Sequence, residues 1–239
     1  MTGEIILINK PFRWTSFDVV KKLRNILSKS TSDAPGSNRK LKIGHAGTLD
    51  PLATGLLVLC TGKMTKMISE IQGADKEYTA SITIGSTTPS YDLETELGEI
   101  KGYSHVSEKM IVETKEKFTG KILQTPPAHS AVKIGGVRAY TKARKGETVE
   151  IKPKEVHIKE FEITGIDLPR IDIRIVCTKG TYIRSLAHDF GQALGCGAHL
   201  SALCRTRIGQ YSLENASVIE DFFNHSDTKS NIHEAIKSI

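Results

Sequence analysis

A four-residue apolar run, Leu56 to Leu59, stands between a loop carrying Asp50-Pro51 and the rest of the chain. No other feature constrains the fold as much. It belongs to the segment GHAGTLDPLATGLLVLC, residues 44–60, in which Gly44, Gly47 and Gly55 punctuate the approach and exit of the loop. A short continuous apolar run bounded by turn signals reads as a buried strand. Pro51 biases Asp50 away from the α region toward an extended or turn conformation. One carboxylate therefore sits on a shaped loop that leads into a core strand. Asp50 is the only acidic residue between Asp33 and Glu70, with Lys40, Lys42, His45, Lys63 and Lys66 around it in sequence. Neighbouring cations keep a carboxylate ionised. That suits a nucleophile or charge partner better than a general acid, which needs a raised pKa. An isolated Asp-Pro pair would do no more than start a turn.

With 239 residues the chain is long enough for one large domain or two small ones. Its hydrophobic content of 38% is that of an ordinary globular protein, and no apolar run approaches a membrane span. The N-terminus, MTGEIILINKPF, lacks the basic and apolar regions of a signal peptide. Cys60, Cys177, Cys196 and Cys204 form no CxxC pair and fit buried thiols in a reducing cytoplasm. Cys196, His199 and Cys204 lack a fourth ligand at zinc spacing, so no metal is assigned. A formal net charge of +6 tilts the chain toward polyanions.

Residues 5–8 read as a strand, and Thr15 or Ser16 caps a helix carrying Phe17, Val20, Leu23 and Leu27 at helical spacing. Residues 28–40, rich in Ser, Asp, Pro and Gly, read as a surface insertion. A helix is expected over 64–71, a strand over 78–84, a polar loop over 87–98 and a helix over 107–118. Residues 124–150 combine paired prolines, paired glycines and clustered Lys and Arg, as in a hairpin or helical finger leaving the core. Strands are expected at 156–163 and 171–177, then a helix over 182–194 stopped by Gly195. Strands and helices alternate without a βαβ rhythm. The fold class is α+β, a mixed sheet with flanking helices.

In CTKGTYIRSLAHDFG, residues 177–191, Thr181 is placed to cap this last helix. Arg184 then falls in its first turn, where the helix dipole disfavours a cation. A local rule broken this way points to a partner elsewhere, with Asp50 a natural candidate. A solvated surface arginine would leave the same trace.

GHAGTLDPLATGLLVL resembles the catalytic motif of the TruB family of tRNA pseudouridine synthases, and further motifs follow in the family's order over residues 6–211. The resemblance implies a pseudouridine-synthase-like, largely antiparallel mixed sheet with an RNA-binding finger. It makes Asp50 the essential carboxylate. KGTYIR is similar to the motif whose Arg pairs with that Asp and whose Tyr lines the uridine pocket, here Arg184 and Tyr182. Tyr78 in KEYTA matches the tyrosine that stacks on the target base and is a candidate for removing the C5 proton. Leu203 in HLSALCRT matches an apolar pocket residue, and His45 the histidine of the base-flipping step. Lys179 and Arg205, with Arg174 and Arg207, would add a basic surface near the site. Lys133, Arg138, Lys142, Arg144 and Lys145 fall in the stretch similar to the family's RNA-clamping insertion.

The chain departs from the pattern twice. Arg13 in KPFRWTS stands where the family has Gly, so a different local turn is expected, and His129 stands where it has Tyr. The reading assigns 1–211 to a catalytic domain and 212–239 to a short tail, with a helix near 218–223 and without the PUA domain of longer relatives.

The implied reaction converts a tRNA T-arm uridine (position 55) to pseudouridine. It breaks an N-glycosidic bond, rotates the uracil and rejoins it through C5 to C1′. No redox change occurs, so no cofactor is expected. Extruding a base costs a few kcal/mol, and stacking on an aromatic returns roughly 1–3 kcal/mol. Attack on the ring, attack on C1′ and a glycal intermediate all remain open. The expected partner is tRNA in the cytoplasm, with no membrane and no obligate protein partner. A guide-directed rRNA pseudouridylase subunit and a non-catalytic RNA-binding or tRNA-folding factor are the competing readings.

Overall fold

The computed structural model describes residues 3–31, 41–130, 132–143 and 150–219. In chain order the elements begin with β1 (Ile5–Lys10), α1 (Ser16–Thr31), β2 (Ile43–His45), β3 (Thr54–Thr61), α2 (Ile68–Gly73) and β4 (Lys76–Ile84). They continue with α3 (Glu108–Glu116), β5 (Gly120–Gln124), β6 (Lys133–Ile134), β7 (Val137–Arg138), α4 (Ala139–Ala143), β8 (Lys154–Asp167) and β9 (Arg170–Cys177). The series closes with α5 (Ile183–Ala193), β10 (Ala198–Ile208), β11 (Tyr211–Ser212) and β12 (Ser217–Val218). The class is α+β with mixed, mainly antiparallel pairing. No helix among the described residues is long and apolar enough to cross a membrane.

The chain divides into two compact units, one of residues 1–76 and 204–239, the other of residues 77–203. In the first, β3 is the central strand. It pairs antiparallel with β1, from Ile5 opposite Cys60 to Lys10 opposite Gly55, and antiparallel with β2. The start of β3 runs parallel to the end of β10, with Thr54 opposite Cys204. Side chains alternate across a strand, and both faces of β3 are dry. Leu57 and Leu59 pack with Val19, Val20 and Leu23 of α1, while Leu56, Val58 and Cys60 pack with Ile71 and Ile208. Phe17, expected on the buried face of α1, is 61% exposed, and Val19 takes its place in the core.

The start of α1 is held by a reciprocal cap. Thr15 N–H donates to Asp18 Oδ2 at 2.9 Å, and Asp18 N–H donates to Thr15 Oγ1 at 3.0 Å. This satisfies donors that the first helical turn leaves over.

In the second unit β4, β9, β8 and β5 follow one another in the sheet, and β10 lies on the other side of β4. β8 and β9 form a long hairpin with register shifts at two places. Arg174 on β9 makes ion pairs with Glu77, Glu160 and Glu162, so its guanidinium is committed to the sheet rather than to the basic surface expected of it. The stretch expected to be a hairpin or a helical finger contains both, β6–β7 followed by α4. Lys133 and Arg138 are register partners in that hairpin, and Arg144 and Lys145 lie outside the described residues. Of the expected surface insertion, 28–31 continue α1, and 32–40 lie outside the described residues. Of the expected tail helix, Val218 belongs to β12, Ile219 is buried in the core beside α1, and 220–223 lie outside the described residues.

Candidate active site

The carboxylate loop is built on the turn between β2 and β3, and both neighbours of Asp50 are pinned. Ser16, buried at the start of α1, receives the Leu49 N–H at 2.8 Å and donates its hydroxyl to the Leu49 carbonyl at 3.1 Å. On the other side the Pro51 carbonyl accepts from Arg13 N–H at 2.9 Å and from Lys10 Nζ at 3.3 Å. The Asp50 carbonyl itself takes the Ala53 N–H at 3.1 Å. A backbone held from both sides aims its side chain before substrate arrives, which is the preorganisation that catalysis rewards.

Two buried cations lie under the loop. Arg205, on β10, is 2% exposed. Its Nε donates to the Leu56 carbonyl at 2.8 Å, Nη2 to Gly47 at 3.0 Å and Nη1 to Thr48 at 3.4 Å. The basic-surface role expected of Arg205 is therefore corrected: its guanidinium is an internal anchor for the loop. Gly47 leaves space beside the guanidinium, where a Cβ would lie 3.4 Å from Nη1, and Gly55 lets the Arg205 backbone approach. Gly55 has φ +97°, and a Cβ there would lie 2.4 Å from the Arg205 carbonyl oxygen. Lys10 has no exposed surface and donates to the carbonyls of Trp14 and Pro11 at 2.5 and 3.1 Å. Burial pulls the Lys10 pKa down to about 8, and the Arg205 charge adds to this, whereas Asp50 and Asp18 oppose it.

His45 ends β2 opposite Leu59. Burial and then the Arg205 charge push its pKa below the ordinary histidine value, against a backbone contact with Gly47. The ring is thus neutral near neutral pH. That suits contact with a base or the space it vacates better than a phosphate.

In the second unit Tyr78 sits on β4 with 9% of its surface exposed. Tyr182 is the N-cap of α5, and no side chain caps that helix, contrary to the expectation for Thr181. The Thr181 hydroxyl donates to the Thr178 carbonyl instead. The Tyr182 backbone is bracketed by Gln124, whose Oε1 accepts the Tyr182 N–H at 2.7 Å while Nε2 donates to the Tyr182 carbonyl at 3.0 Å. This amide, itself 2% exposed, fixes where the tyrosine leaves the backbone.

Arg184 follows in the first turn of α5 and is 4% exposed. Its Nε lies 3.6 Å from Asp92 Oδ2, Nη1 donates to the Ser90 carbonyl at 3.2 Å and Nη2 to the His129 carbonyl at 3.1 Å. The buried carboxylate offsets both the unfavourable dipole position and the desolvation of the guanidinium. Beside it, Tyr91 holds a left-handed φ of +65° and stacks on His188 with ring centroids 3.9 Å apart. Leu203 lies part-buried on β10, and Lys179 is exposed ahead of α5.

Sequence reasoning missed Lys10, Ser16, Asp92 and Gln124. A lysine, a serine and a glutamine carry no local mark of burial. Asp92 is one of several acids in a polar loop, and nothing in that loop singles it out. Arg184 in a first turn was the one signal that some such carboxylate had to exist.

Comparison with known proteins agrees with these motifs. Residues 36–183 match the family model described as TruB family pseudouridylate synthase (N terminal domain). Residues 184–238 match the tRNA pseudouridylate synthase B C-terminal domain. A tRNA pseudouridine synthase B from Flavobacterium johnsoniae is 55% identical over 216 residues, 90% of this chain and 93% of its own. Its namesake from Parabacteroides distasonis is 49% identical over 96% of this chain and 97% of its own. Among solved structures, a chain of a Cbf5-Nop10-Gar1 complex is 28% identical with a TM-score of 0.70. This chain is covered over 99% in that match but spans 59% of the solved one.

Proposed function

Since the chain belongs to the TruB family of pseudouridylate synthases and isomerises uridine to pseudouridine in tRNA, we propose that its target is the T-arm loop uridine and that Asp50 is the essential carboxylate. The observation that carries the second part is the Asp50 loop itself. The residues on both sides of Asp50 are fixed by hydrogen bonds to Ser16, Arg13 and Lys10, and buried Arg205 anchors the carbonyls of Gly47 and Thr48 just before it. Such a loop places one carboxylate at one point, as a covalent or charge-stabilising step requires.

The remaining roles follow the motif positions. Tyr78 takes the flipped base by stacking and is the candidate for handling the C5 proton. Tyr182 and Leu203 line the pocket, and neutral His45 acts while the base is extruded. Arg184 is the charge partner of the reaction, already oriented by Asp92. Lys133, Arg138, Arg144 and Lys179 contact RNA phosphates. The chain works on tRNA alone, in the cytoplasm, without a protein partner, as one domain over 1–211 with a finger at 124–150.

Tritium release from a tRNA transcript labelled at uridine C5 tests this reading, because forming the C5–C1′ bond must expel that hydrogen. Wild-type protein is expected to release it, and Asp50→Asn to lose at least about 10³ in rate, the scale for removal of a group that acts in the chemical step. A folded wild-type protein that binds tRNA and releases no tritium would be a binding factor instead.

A further inference from the structure

The turn between β1 and α1 carries features that the carboxylate loop does not use. A cavity of about 390 Å³ opens there, lined by Arg13, Trp14, Asp18, Lys21, Lys22 and Asn25. Its lining holds three cations against one carboxylate. That carboxylate, Asp18, is occupied in capping α1, where its bonds to Thr15 hold its pKa below the usual range. Arg13, Lys21 and Asn25 are exposed. Phe12, next to Arg13, is 55% exposed, and the Arg13 guanidinium carbon lies 5.6 Å from the centre of its ring. Exposed aromatic surface alternating with cations is the composition of surfaces that bind unstacked nucleic acid.

Arg13 is also out of place by backbone criteria. Its φ of +66° lies in the left-handed region, which glycine occupies freely and an arginine only under strain. The expectation of a different local turn is thus corrected: the backbone takes the conformation most natural to glycine, with a long cation mounted on it. That cation points from the same residue whose N–H holds the Pro51 carbonyl, so the turn is fastened directly to the Asp50 loop.

We propose that this pocket is an RNA subsite: it takes a backbone phosphate of the substrate tRNA on Arg13, Lys21 and Lys22, while Phe12 offers its ring to the adjoining nucleotide. Arg13, held at the end of a fixed turn, aims the guanidinium at the phosphate, and Lys21 and Lys22 add point charges from the first turns of α1. Asn25 completes the polar rim. The strained residue then serves to position RNA beside the carboxylate loop. The subsite rests on the reading of tRNA as substrate.

The test is equilibrium binding of an unmodified tRNA transcript over a series of KCl concentrations, for wild type, Arg13→Gly and Lys21→Gln, with thermal melting of each protein. Each variant is expected to bind several-fold more weakly. Its plot of log Kd against log salt should be shallower by roughly 0.7 to 0.9, the slope that one phosphate neutralised by the protein contributes. Arg13→Gly is expected to melt at or above the wild-type temperature, because it relieves the left-handed φ. Affinities and slopes unchanged in both variants would overturn the subsite. Should Arg13→Gly melt early, Lys21→Gln, which leaves the turn alone, decides by the same slope. Tritium release by wild type is read separately. Its absence with tRNA still bound removes the isomerase and leaves the slopes to decide the pocket, and its presence with unchanged slopes removes the pocket alone.

Discussion

Arg205 shows how a single buried side chain can hold a whole loop in place. Its guanidinium reaches the carbonyls of Gly47, Thr48 and Leu56, spanning the loop from before Asp50 to the start of the strand after it. An uncharged residue of similar length would leave those carbonyls buried without donors. Leaving a buried carbonyl without its donor costs about 1–3 kcal/mol. Arg205→Met is therefore expected to lower unfolding free energy by about that amount, measured by urea denaturation. Activity should fall even where the variant remains folded, because the Asp50 backbone is then no longer held. Lys10 does related work on the other flank with a residue that titrates.

At the scale of elements, the join between β5 and α5 repeats the logic of the join between α1 and the Asp50 loop. In each, one buried polar side chain grips both backbone groups of a single residue: Ser16 grips Leu49, and Gln124 grips Tyr182. The α5 grip matters more than usual because that helix has no side-chain cap. Gln124→Ala removes two buried hydrogen bonds and leaves the Tyr182 groups without them. A loss of about 1–3 kcal/mol is expected, read as a lowered urea midpoint with unchanged slope. Tyr182 would then be displaced, so a raised KM for tRNA should accompany it.

For the whole molecule, several buried titrating groups shape stability against pH. Lys10 falls from 10.5 to about 8 on folding. Between those values the unfolded state binds more protons, so stability rises with pH across that window. His45 and His188 are both lowered by burial from 6.5. Below about 6.5 the unfolded state again binds more protons, so stability falls as the solution is acidified. Asp189, raised by burial, acts in the opposite sense at lower pH, since its proton is held more tightly in the folded state. Urea unfolding from pH 5 to pH 10, roughly, should therefore show a climb from the acid side and a second climb from about 8 to about 9, above which the Cys60 and Cys196 thiols, raised by burial from 9.0, oppose it. Lys10→Met should abolish the second climb, and His45→Asn with His188→Gln should flatten the first.

The longer helices, strands β1, β3, β4, β8 and β9, the Asp50 loop and the family were legible in the residues themselves, whereas β5 and β10 went unread. Their signals are local: an apolar run, alternation, a helical period, glycines where a loop must turn, and motifs set by chemistry at short spacing. The buried face of α1 was half legible, since periodicity admits Phe17 but packing against β3 selects Val19. Arg205 and Arg174 were misplaced for a related reason. A charged residue looks the same in sequence whether it meets water, a set of carbonyls or three carboxylates, and only the fold brings those groups to it. Asp92 became visible only when the chain folded it to Arg184, 92 residues further on. Sequence alone thus determined the family, which carboxylate and tyrosines stand at its motif positions, and which kind of backbone carries them. Tertiary structure decided which cations are anchors and which face solvent, because burial and long-range pairing belong to the packed chain and to no segment of it.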